Sequence, residues 1–409
     1  MSAKLFLFQR GSSISVLCMI YRLHDFQDPG ASEPSQRPKD PQNIPDVSVG
    51  SAAIYYPAFD YLRITLATMV AASHANLVTW PKAGAFSVQV FFALSGWLIG
   101  RLLLRSKLSD LPRFYYNRAA RIWIPYFVAF GLVVAAALIH DTITPKWFEF
   151  LFYKLTFTYN FFGALQIDSY RTLAPLSGSA NHFWSISAEE QFYLVAPLLI
   201  CALAFGRSVW FWVACATLLL AVPLGRFFAA IALGVLAVVI REKIGPWNER
   251  RAVCGALGLG AALMFIFLYL DLLPYRIFAP ICSVLAVLCL AQPSRSGPSR
   301  VGEFLGGVSY PMYLNHWIGA FVTHGILKRV GGIGVTAEGL IAVIFGFIIS
   351  AVLYQFIDAN VRKYRNRFYS RRLGIVIAIL GYALVLSGVF VGSMLTTETL
   401  ADELRFSYQ

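Results

Sequence analysis

Charged residues are scarce in this chain of 409 residues, where Asp, Glu, Lys and Arg together make up 13%. A soluble domain usually carries about a quarter. Hydrophobic residues make up 58% of the chain, and they come in blocks of about 20, the length that crosses a hydrocarbon core as a helix. The shortage of charge therefore argues against a soluble domain and predicts a polytopic membrane protein. The blocks do not alternate at every second residue, which disfavours a membrane β-barrel.

Paired cysteines and metal-binding motifs are also missing. Cysteines with no C-x-x-C spacing stand in apolar blocks, at Cys201, Cys215, Cys254, Cys282 and Cys289. This placement predicts buried thiols rather than disulfides or a metal site. The six histidines are too scattered to form a metal motif, and we expect no metal. No internal repeat is visible, which weakens a transporter interpretation because many transporter folds are built from duplicated halves.

The apolar blocks predict an all-α membrane protein, a bundle of about 10–11 transmembrane helices with an interfacial outer loop. Eleven spans can be drawn, at about residues 55–77, 85–104, 121–140, 187–205, 208–224, 227–241, 252–271, 274–291, 304–327, 337–357 and 373–394. Small residues in the second span predict close helix packing, at Ala93, Ser95, Gly96 and Gly100. The long aromatic loop at 141–183 predicts an interfacial or re-entrant segment over the outer mouth of the bundle.

The net charge of +13 indicates membrane orientation rather than nucleic-acid binding, because the basic residues cluster in loops. Lys and Arg gather at 105–121, 241–251 and 362–372, and the positive-inside rule places these loops in the cytoplasm. The N-terminus is then inside and the C-terminus outside, in a bacterial-type cytoplasmic (inner) membrane. The remaining segments are a disordered cytoplasmic extension at 1–50, a basic cytoplasmic loop at 359–372, an additional transmembrane helix at 373–395 and a short external tail at 396–409.

The first span carries three ionisable residues, Asp60, Arg63 and His74. Such a group near the bilayer centre costs roughly 2.5–3.5 kcal/mol on insertion scales, so it usually faces a bundle interior or a wet cavity. Arg63 and His74 are almost three helical turns apart, so they share one face at a separation of about 16 Å. Asp60 can neutralise Arg63 at i,i+3 spacing. The alternative is an interfacial anchor formed by Asp60 and Arg63, with His74 snorkelling at the other end.

Two arginines, Arg118 and Arg121, stand one turn apart at the entry of the third span, in the aromatic stretch RFYYNRAARIWIPYF. Two guanidiniums on one helix face suit a phosphate or pyrophosphate, because their forked donors match phosphate oxygens. Arginines at the end of a span are also ordinary anchors. The residues alone leave these two alternatives even.

Later spans carry further polar groups. Ser185 and Glu189 lie at i,i+4 on one helix face at the start of the fourth span, and Glu190 is adjacent. Acidic residues in a first turn also favour the helix dipole, which is the structural alternative. Tyr313 and His316 lie one turn apart inside an apolar span, where they either form hydrogen bonds in the core or line a substrate site.

These stretches together resemble the acyltransferase-3 family of polytopic membrane O-acyltransferases, from about Tyr55 to Asp358. The resemblance lies in FDYLRITLATMVAASHA, VQVFFALSGWLI, FYYNRAARIWIPY, HFWSISAEEQFYL and LGGVSYPMYLNHW, in this order. It implies a catalytic domain at 51–358 that moves an acyl group, usually acetyl from acetyl-CoA at the cytoplasmic side, to a hydroxyl of a sugar or glycan precursor. The roles that it implies are His74 as the catalytic histidine, Arg63 as its partner on the same helix, Arg118 and Arg121 as donor-binding arginines, and Glu189 as the functional acidic position.

We therefore predict an O-acyltransferase that uses acyl-CoA to modify a sugar, a surface polysaccharide or a glycan precursor. His74, with an ordinary pKa of about 6.5, either acts as general base or carries the acyl group covalently. Arg63 stabilises negative charge or holds donor phosphate, and Glu189 orients His74 or binds the acceptor. The residues expected to bind substrate are Ser185, Glu190, Tyr313 and His316.

The expected partners are acyl-CoA, a carbohydrate or glycolipid acceptor and the lipid bilayer, with no nucleic acid. No hydrolase-like extracytoplasmic domain follows the last span, so we expect the chain to act without such a fused domain. The competing interpretation is a transporter or flippase of a glycolipid or anionic solute, with Arg63, His74 and Glu189 as a proton relay.

Overall fold

The computed structural model describes residues 55–203, 205–294, 297–330 and 334–407, with the side chains of all of them except 224, 327–330 and 397–407. The predicted extension at 1–50 and residues 408 and 409 of the predicted tail lie outside the described residues. The described part contains these α-helices: α1 Pro57–His74, α2 Ala83–Arg105, α3 Leu111–His140, α4 Pro145–Leu155, α5 Gly163–Tyr170, α6 Trp184–Pro197, α7 Val209–Ala221, α8 Ala229–Ile244, α9 Arg251–Tyr269, α10 Tyr275–Leu290, α11 Arg300–Val330, α12 Val335–Leu353, α13 Ala359–Phe368 and α14 Arg371–Ser407.

The predicted all-α membrane fold is confirmed. Each of the eleven predicted spans coincides with one of these helices, and no strand forms among the described residues beyond an isolated bridge between Tyr55 and Ser294. Five helical stretches are long and apolar enough to cross a membrane: Ala83–Arg105, Leu108–His140, Arg251–Tyr269, Val335–Phe368 and Arg371–Thr396. Helix α1, which carries Asp60, Arg63 and His74, is not among them.

Apolar side chains cover much of the outer surface of the bundle. In α9, Leu259, Leu263 and Ile266 are exposed, and Trp210 of α7 is 81% exposed. Contiguous apolar surface of this kind is rare on a soluble monomer, whereas lipid tails cover it without cost. The apolar blocks lack a polar face because lipid surrounds this side of the bundle.

Helices α2 and α8 pack closely, as the small residues of the second span predict. A Cβ atom at Gly96 would lie 2.1 Å from the carbonyl oxygen of Ile231, and one at Gly234 would lie 2.4 Å from that of Ala93. Any side chain larger than hydrogen would push the two backbones apart. The close approach fixes α2, and with it Ser95, against the centre of the bundle.

The connection between α3 and α6 folds into short helices and is not an irregular loop. Trp147, Phe150 and Tyr153 of α4 are buried, and Lys154 donates a hydrogen bond to the carbonyl oxygen of Ala180 at 3.2 Å. Residues 171–183 then form three single-turn helices that lead into α6. This arrangement brings residues 177–182 to a cavity described below.

The C-terminal part of the chain forms helices where the sequence predicts a loop and a tail. Helix α13 occupies most of the segment predicted as a basic loop at 359–372, and α14 extends through Ser407 into the predicted tail at 396–409. The cytoplasmic position of residues 359–372 and the external position of residues 396–409 stay predictions.

Candidate functional site

Two separate cavities are lined by most of the polar residues singled out from the sequence. The first, the arginine cavity, encloses about 140 Å³ and is lined by Arg63, Ser95, Arg118, Arg121, Ser185 and Glu189, among others. The second, the histidine cavity, encloses about 490 Å³ and is lined by His74, His182, His316, Ser177, Ser179 and Asn181, among others. Helix α1 contributes to both cavities. Arg63, in the middle of the helix, lines the arginine cavity, and His74, at its end, lines the histidine cavity.

The arginine cavity gathers guanidinium groups from two helices. Arg63 Nη1 donates to Asp60 Oδ1 at 3.0 Å, so the predicted i,i+3 ion pair is present, and the Tyr55 hydroxyl donates to the same carboxylate at 2.6 Å. Arg118 lies over the Tyr193 ring, 5.3 Å from its centroid. Neither Arg118 nor Arg121 makes a hydrogen bond or ion pair within the described part of the chain, so their donors are available to an anion.

The walls of the arginine cavity are mainly apolar, with one carboxylate among them. Phe91, Phe92 and Leu98 line it from α2. Glu189 accepts hydrogen bonds from the Ser95 hydroxyl and from the Tyr193 hydroxyl, the latter at 3.0 Å. The cavity therefore offers an apolar surface beside fixed positive charge, an arrangement that suits a molecule with a phosphate end and an apolar end.

The histidine cavity contains three imidazoles that the sequence keeps far apart. His74 Nδ1 lies 2.8 Å from His316 Nε2, and the ring centroids of His182 and His316 lie 4.5 Å apart. His74 is exposed, whereas His182 and His316 are buried. One ligand atom from each of the three lies within 4.8 Å of the others, so these are the residues that could hold a metal ion.

Tyr313 stands where the two cavities approach each other. Its hydroxyl donates to the carbonyl oxygen of His182 at 2.9 Å and shares a hydrogen bond with Ser185 Oγ at 2.5 Å. Tyr313 and Ser185 line the arginine cavity, while His182 lines the histidine cavity. We call these three residues the partition.

The predicted site residues thus divide into groups. Ser185 and Glu189 share a helix face toward the arginine cavity, as their spacing predicts, but Glu189 makes no hydrogen bond to His74 among the described residues. Glu190 points elsewhere: it accepts a hydrogen bond from Trp123 Nε1 at 2.8 Å and lines neither cavity. Successive residues of a helix are about 100° apart, and the two adjacent carboxylates point in different directions here.

Sequence reasoning missed Ser95, Tyr193 and His182 as members of the site. The small-residue pattern predicts Ser95 only as a packing residue, and His182 is one of six scattered histidines. The signal for His182 was its place in NHFWSISAEE, three residues before Ser185. A polar residue so close to an expected binding residue, at the start of the same span, could have been included.

Comparisons with known proteins point in one direction. The sequence profile of a family described as an acyltransferase domain matches residues 56–355. The chain is 25% identical over 367 residues to the peptidoglycan O-acetyltransferase OatA of Listeria monocytogenes, an alignment that covers 76% of this chain and 56% of that protein. It is 29% identical over 160 residues to the O-acetyltransferase OatA of Staphylococcus aureus, covering 36% of this chain and 25% of that protein. The chain thus spans little more than half of the first relative. No solved structure matches it significantly.

Proposed function

Because this chain belongs to the acyltransferase-3 family, we propose that it is a membrane O-acyltransferase that moves an acetyl group from acetyl-CoA to a hydroxyl of a glycan or glycan precursor. The observation that carries the proposal is the pair of cavities separated by the partition. One offers unpaired guanidiniums beside an apolar surface, and the other offers an exposed imidazole. A donor with phosphates needs the guanidiniums and apolar surface of the first cavity. An acceptor with a hydroxyl needs the accessible imidazole of the second.

The arginine cavity fits the donor. Arg118 and Arg121 have free forked donors that match the phosphate oxygens of CoA. Phe91 and Phe92 supply apolar surface for the pantetheine arm and the acyl group. Arg63 is paired with Asp60 at 3.0 Å and lies about 16 Å from His74 along α1, so we place it beside the donor phosphates and not at the reacting thioester oxygen.

The histidine cavity fits the acceptor. His74 is exposed there, beside the hydroxyl groups of Ser177 and Ser179 and the amide of Asn181. These groups suit the hydroxyls of a sugar. The Listeria monocytogenes relative, whose name includes peptidoglycan, supports a glycan as the acceptor.

The reaction can follow two routes. In the first, His74 accepts the proton of the acceptor hydroxyl, the oxygen attacks the thioester carbon, and the C–S bond breaks to release CoA thiolate, which takes the proton from His74. In the second, His74 attacks the thioester carbon and the C–S bond breaks to release CoA thiolate; the acceptor oxygen then attacks the acetyl carbon, the C–N bond breaks to restore His74, and the hydroxyl proton passes to the thiolate. Both routes require the thioester to pass the partition.

We also propose that residues 51–358 form the catalytic domain. Both cavities are lined by residues between Arg63 and Val343, so the additional helix at 373–395 contributes no lining residue. The transporter alternative, with a relay through Arg63, His74 and Glu189, would involve no thioester cleavage, and this difference separates it from acyl transfer.

The test of the function is thioester cleavage by the purified full chain. The protein in detergent is incubated with acetyl-CoA, with and without a tetramer of N-acetylglucosamine, and free thiol and acetylated glycan are measured. We expect release of CoA and a mass increase of one acetyl group on the glycan. A transporter would leave the thioester intact, and that result would refute the proposal.

The proposed sidedness has the N-terminus in the cytoplasm and the arginine cavity toward the same side of the cytoplasmic membrane. Ser179 and Ser109 are both exposed and provide a matched pair for labelling. Single cysteines at these positions, in a chain whose native cysteines have been replaced, are treated in intact cells with a membrane-impermeant thiol reagent. We expect Ser179→Cys to be labelled and Ser109→Cys to be labelled only after lysis. The opposite pattern would reverse the orientation.

A further inference from the structure

We infer that His316 is a positioning residue that fixes the tautomer of His74, so that the unprotonated Nε2 of His74 faces the histidine cavity. This inference rests on the proposed function, because it gives His74 its role in acyl transfer. It assigns His316 a different task from the substrate binding expected from the sequence.

The hydrogen bonds of His316 begin the argument. Its Nδ1 lies 2.9 Å from the carbonyl oxygen of Tyr313 and 3.3 Å from that of Met312. A carbonyl oxygen only accepts, so Nδ1 carries the hydrogen. His316 is 5% exposed, and no carboxylate among the described residues is paired with it, so the neutral ring is favoured over the cation. Its Nε2 then holds a lone pair.

The tautomer of His74 follows from that lone pair. His74 Nδ1 lies 2.8 Å from His316 Nε2, a normal hydrogen-bond length. Since Nε2 of His316 can only accept, Nδ1 of His74 must donate. The hydrogen of neutral His74 is therefore on Nδ1, and Nε2 is the basic atom. This is the atom needed by either route, as a proton acceptor or as a nucleophile.

Burial separates the roles of the two rings. His74 is exposed to the cavity, whereas His316 is buried and held by its own helix. A group that reacts must reach the substrate, and a group that orients must be immobile. The pair therefore has one catalytic histidine and one positioning histidine, in the manner of a base held by a third group.

A shared metal ion is the competing explanation of the cluster. Two nitrogen ligands of zinc, each about 2.0–2.1 Å from the ion in tetrahedral geometry, lie about 3.3 Å apart. The observed 2.8 Å is shorter and matches a direct hydrogen bond. The geometry therefore favours ring-to-ring donation over joint ligation.

The test uses two substitutions that split the functions of His316. Gln at this position has an amide oxygen that can replace Nε2 and accept from His74. Asn is too short to reach His74, but its amide can donate to the backbone of its own helix, as Asn315 does to the Pro311 carbonyl oxygen at 3.0 Å. Ser350→Ala is the matched control, since Ser350 is also buried and donates to its own helix, at the carbonyl oxygen of Gly346.

Two measurements decide the outcome. In acetyl-CoA cleavage we expect His316→Asn to lower kcat by about 10–100-fold with an unchanged KM for acetyl-CoA, and His316→Gln to restore most of the rate. In lipid bilayers, solid-state NMR of the ¹⁵N-histidine protein, with His74 assigned by difference against His74→Ala, should show hydrogen on Nδ1 and none on Nε2. The hydrogen should be distributed over both nitrogens in His316→Asn.

Several results would overturn the inference. These are equal rates in both variants and wild type, equal losses in both variants with a raised KM, hydrogen on Nε2 of His74, or stoichiometric zinc in the purified protein. The NMR measurement does not depend on turnover. If the wild-type protein cleaves no acetyl-CoA, the proposed function fails. The tautomer of His74, measured by NMR, then still decides whether His316 positions His74.

Discussion

The arginine cavity and the histidine cavity lie along the same two helices but differ in chemistry. Helix α1 contributes Arg63 to the first and His74 to the second, and α11 contributes Tyr313 and His316 in the same order. The first cavity has fixed positive charge and apolar walls, and the second has imidazoles and hydroxyls. Under the proposed function, a single pair of helices therefore connects an anion-binding cavity with a cavity in which a proton is exchanged.

Under the proposed function, each cavity contains the basic side chain that its task requires. Arginine keeps its charge at any working pH, so it binds phosphate steadily but exchanges no proton. Histidine changes charge near neutral pH, so it suits proton transfer but is a poor permanent anchor. Variants in the histidine cavity should therefore change turnover, and variants of Arg118 and Arg121 in the arginine cavity should change the affinity for the donor.

The largest expected effect is that of His74→Ala. Removal of the imidazole takes away the base or the acyl carrier, and turnover of acetyl-CoA should fall by about 10²–10⁴-fold. The affinity for CoA should not change, because His74 lies outside the arginine cavity. Turnover is measured by thiol release and affinity by calorimetry.

The control for this variant is His140→Ala. His140 is exposed at the end of α3 and contacts Phe321, but it lines neither cavity. It should retain wild-type turnover. Turnover near that of wild type in His74→Ala would contradict the catalytic role.

A smaller effect is expected from Arg118→Lys and Arg121→Lys. Lysine keeps the charge but lacks the planar fork that grips phosphate. The affinity for CoA should fall roughly five- to tenfold in each variant, about 1–1.4 kcal/mol, while the turnover at saturating donor stays close to that of wild type. Calorimetry with CoA gives the affinity directly.

Arg105→Lys provides the comparison. Arg105 ends α2 and is paired with Glu242 at 3.0 Å, outside both cavities. Its substitution should leave the affinity unchanged. Unchanged affinity in the Arg118 and Arg121 variants as well would return these arginines to the role of membrane anchors.

Local periodicity explains which parts of this comparison the sequence could predict. The spacing of Arg63 and His74 placed them on one face of one helix, and that of Ser185 and Glu189 did the same. These inferences need only 3.6 residues per turn. The apolar blocks located the helices because lipid requires continuous apolar surface.

Helical periodicity and apolar blocks could not predict contacts between helices that are distant in the sequence. His74 and His316 are 242 positions apart, and only the packing of α1 against α11 brings them together. Glu189 was expected near His74, but its bonds to Ser95 and Tyr193 hold it in the arginine cavity. The direction of a side chain across a bundle depends on helix rotation, which hydropathy does not reveal where every face is apolar.

The smallest expected effect tests the partition itself. Tyr313→Phe keeps the ring, which packs edge-on against Phe91 and His182, and removes the hydroxyl that bonds to Ser185 and the His182 backbone. A buried hydrogen bond contributes about 1 kcal/mol net, so opening of the partition should become about fivefold more frequent. Hydrolysis of acetyl-CoA without acceptor should rise by that factor, because water and thioester meet more often at His74.

Ser185→Ala sharpens this test because it removes the other side of the same contact. Each single variant should raise hydrolysis by a similar factor, and the double variant should raise it by less than the product of the two, since both changes break one shared hydrogen bond. A fall in hydrolysis of tenfold or more in Tyr313→Phe would mean that the hydroxyl acts on the substrate. The two cavities would then form a single reaction site, because the group now assigned to closing the path between them would belong to the chemistry.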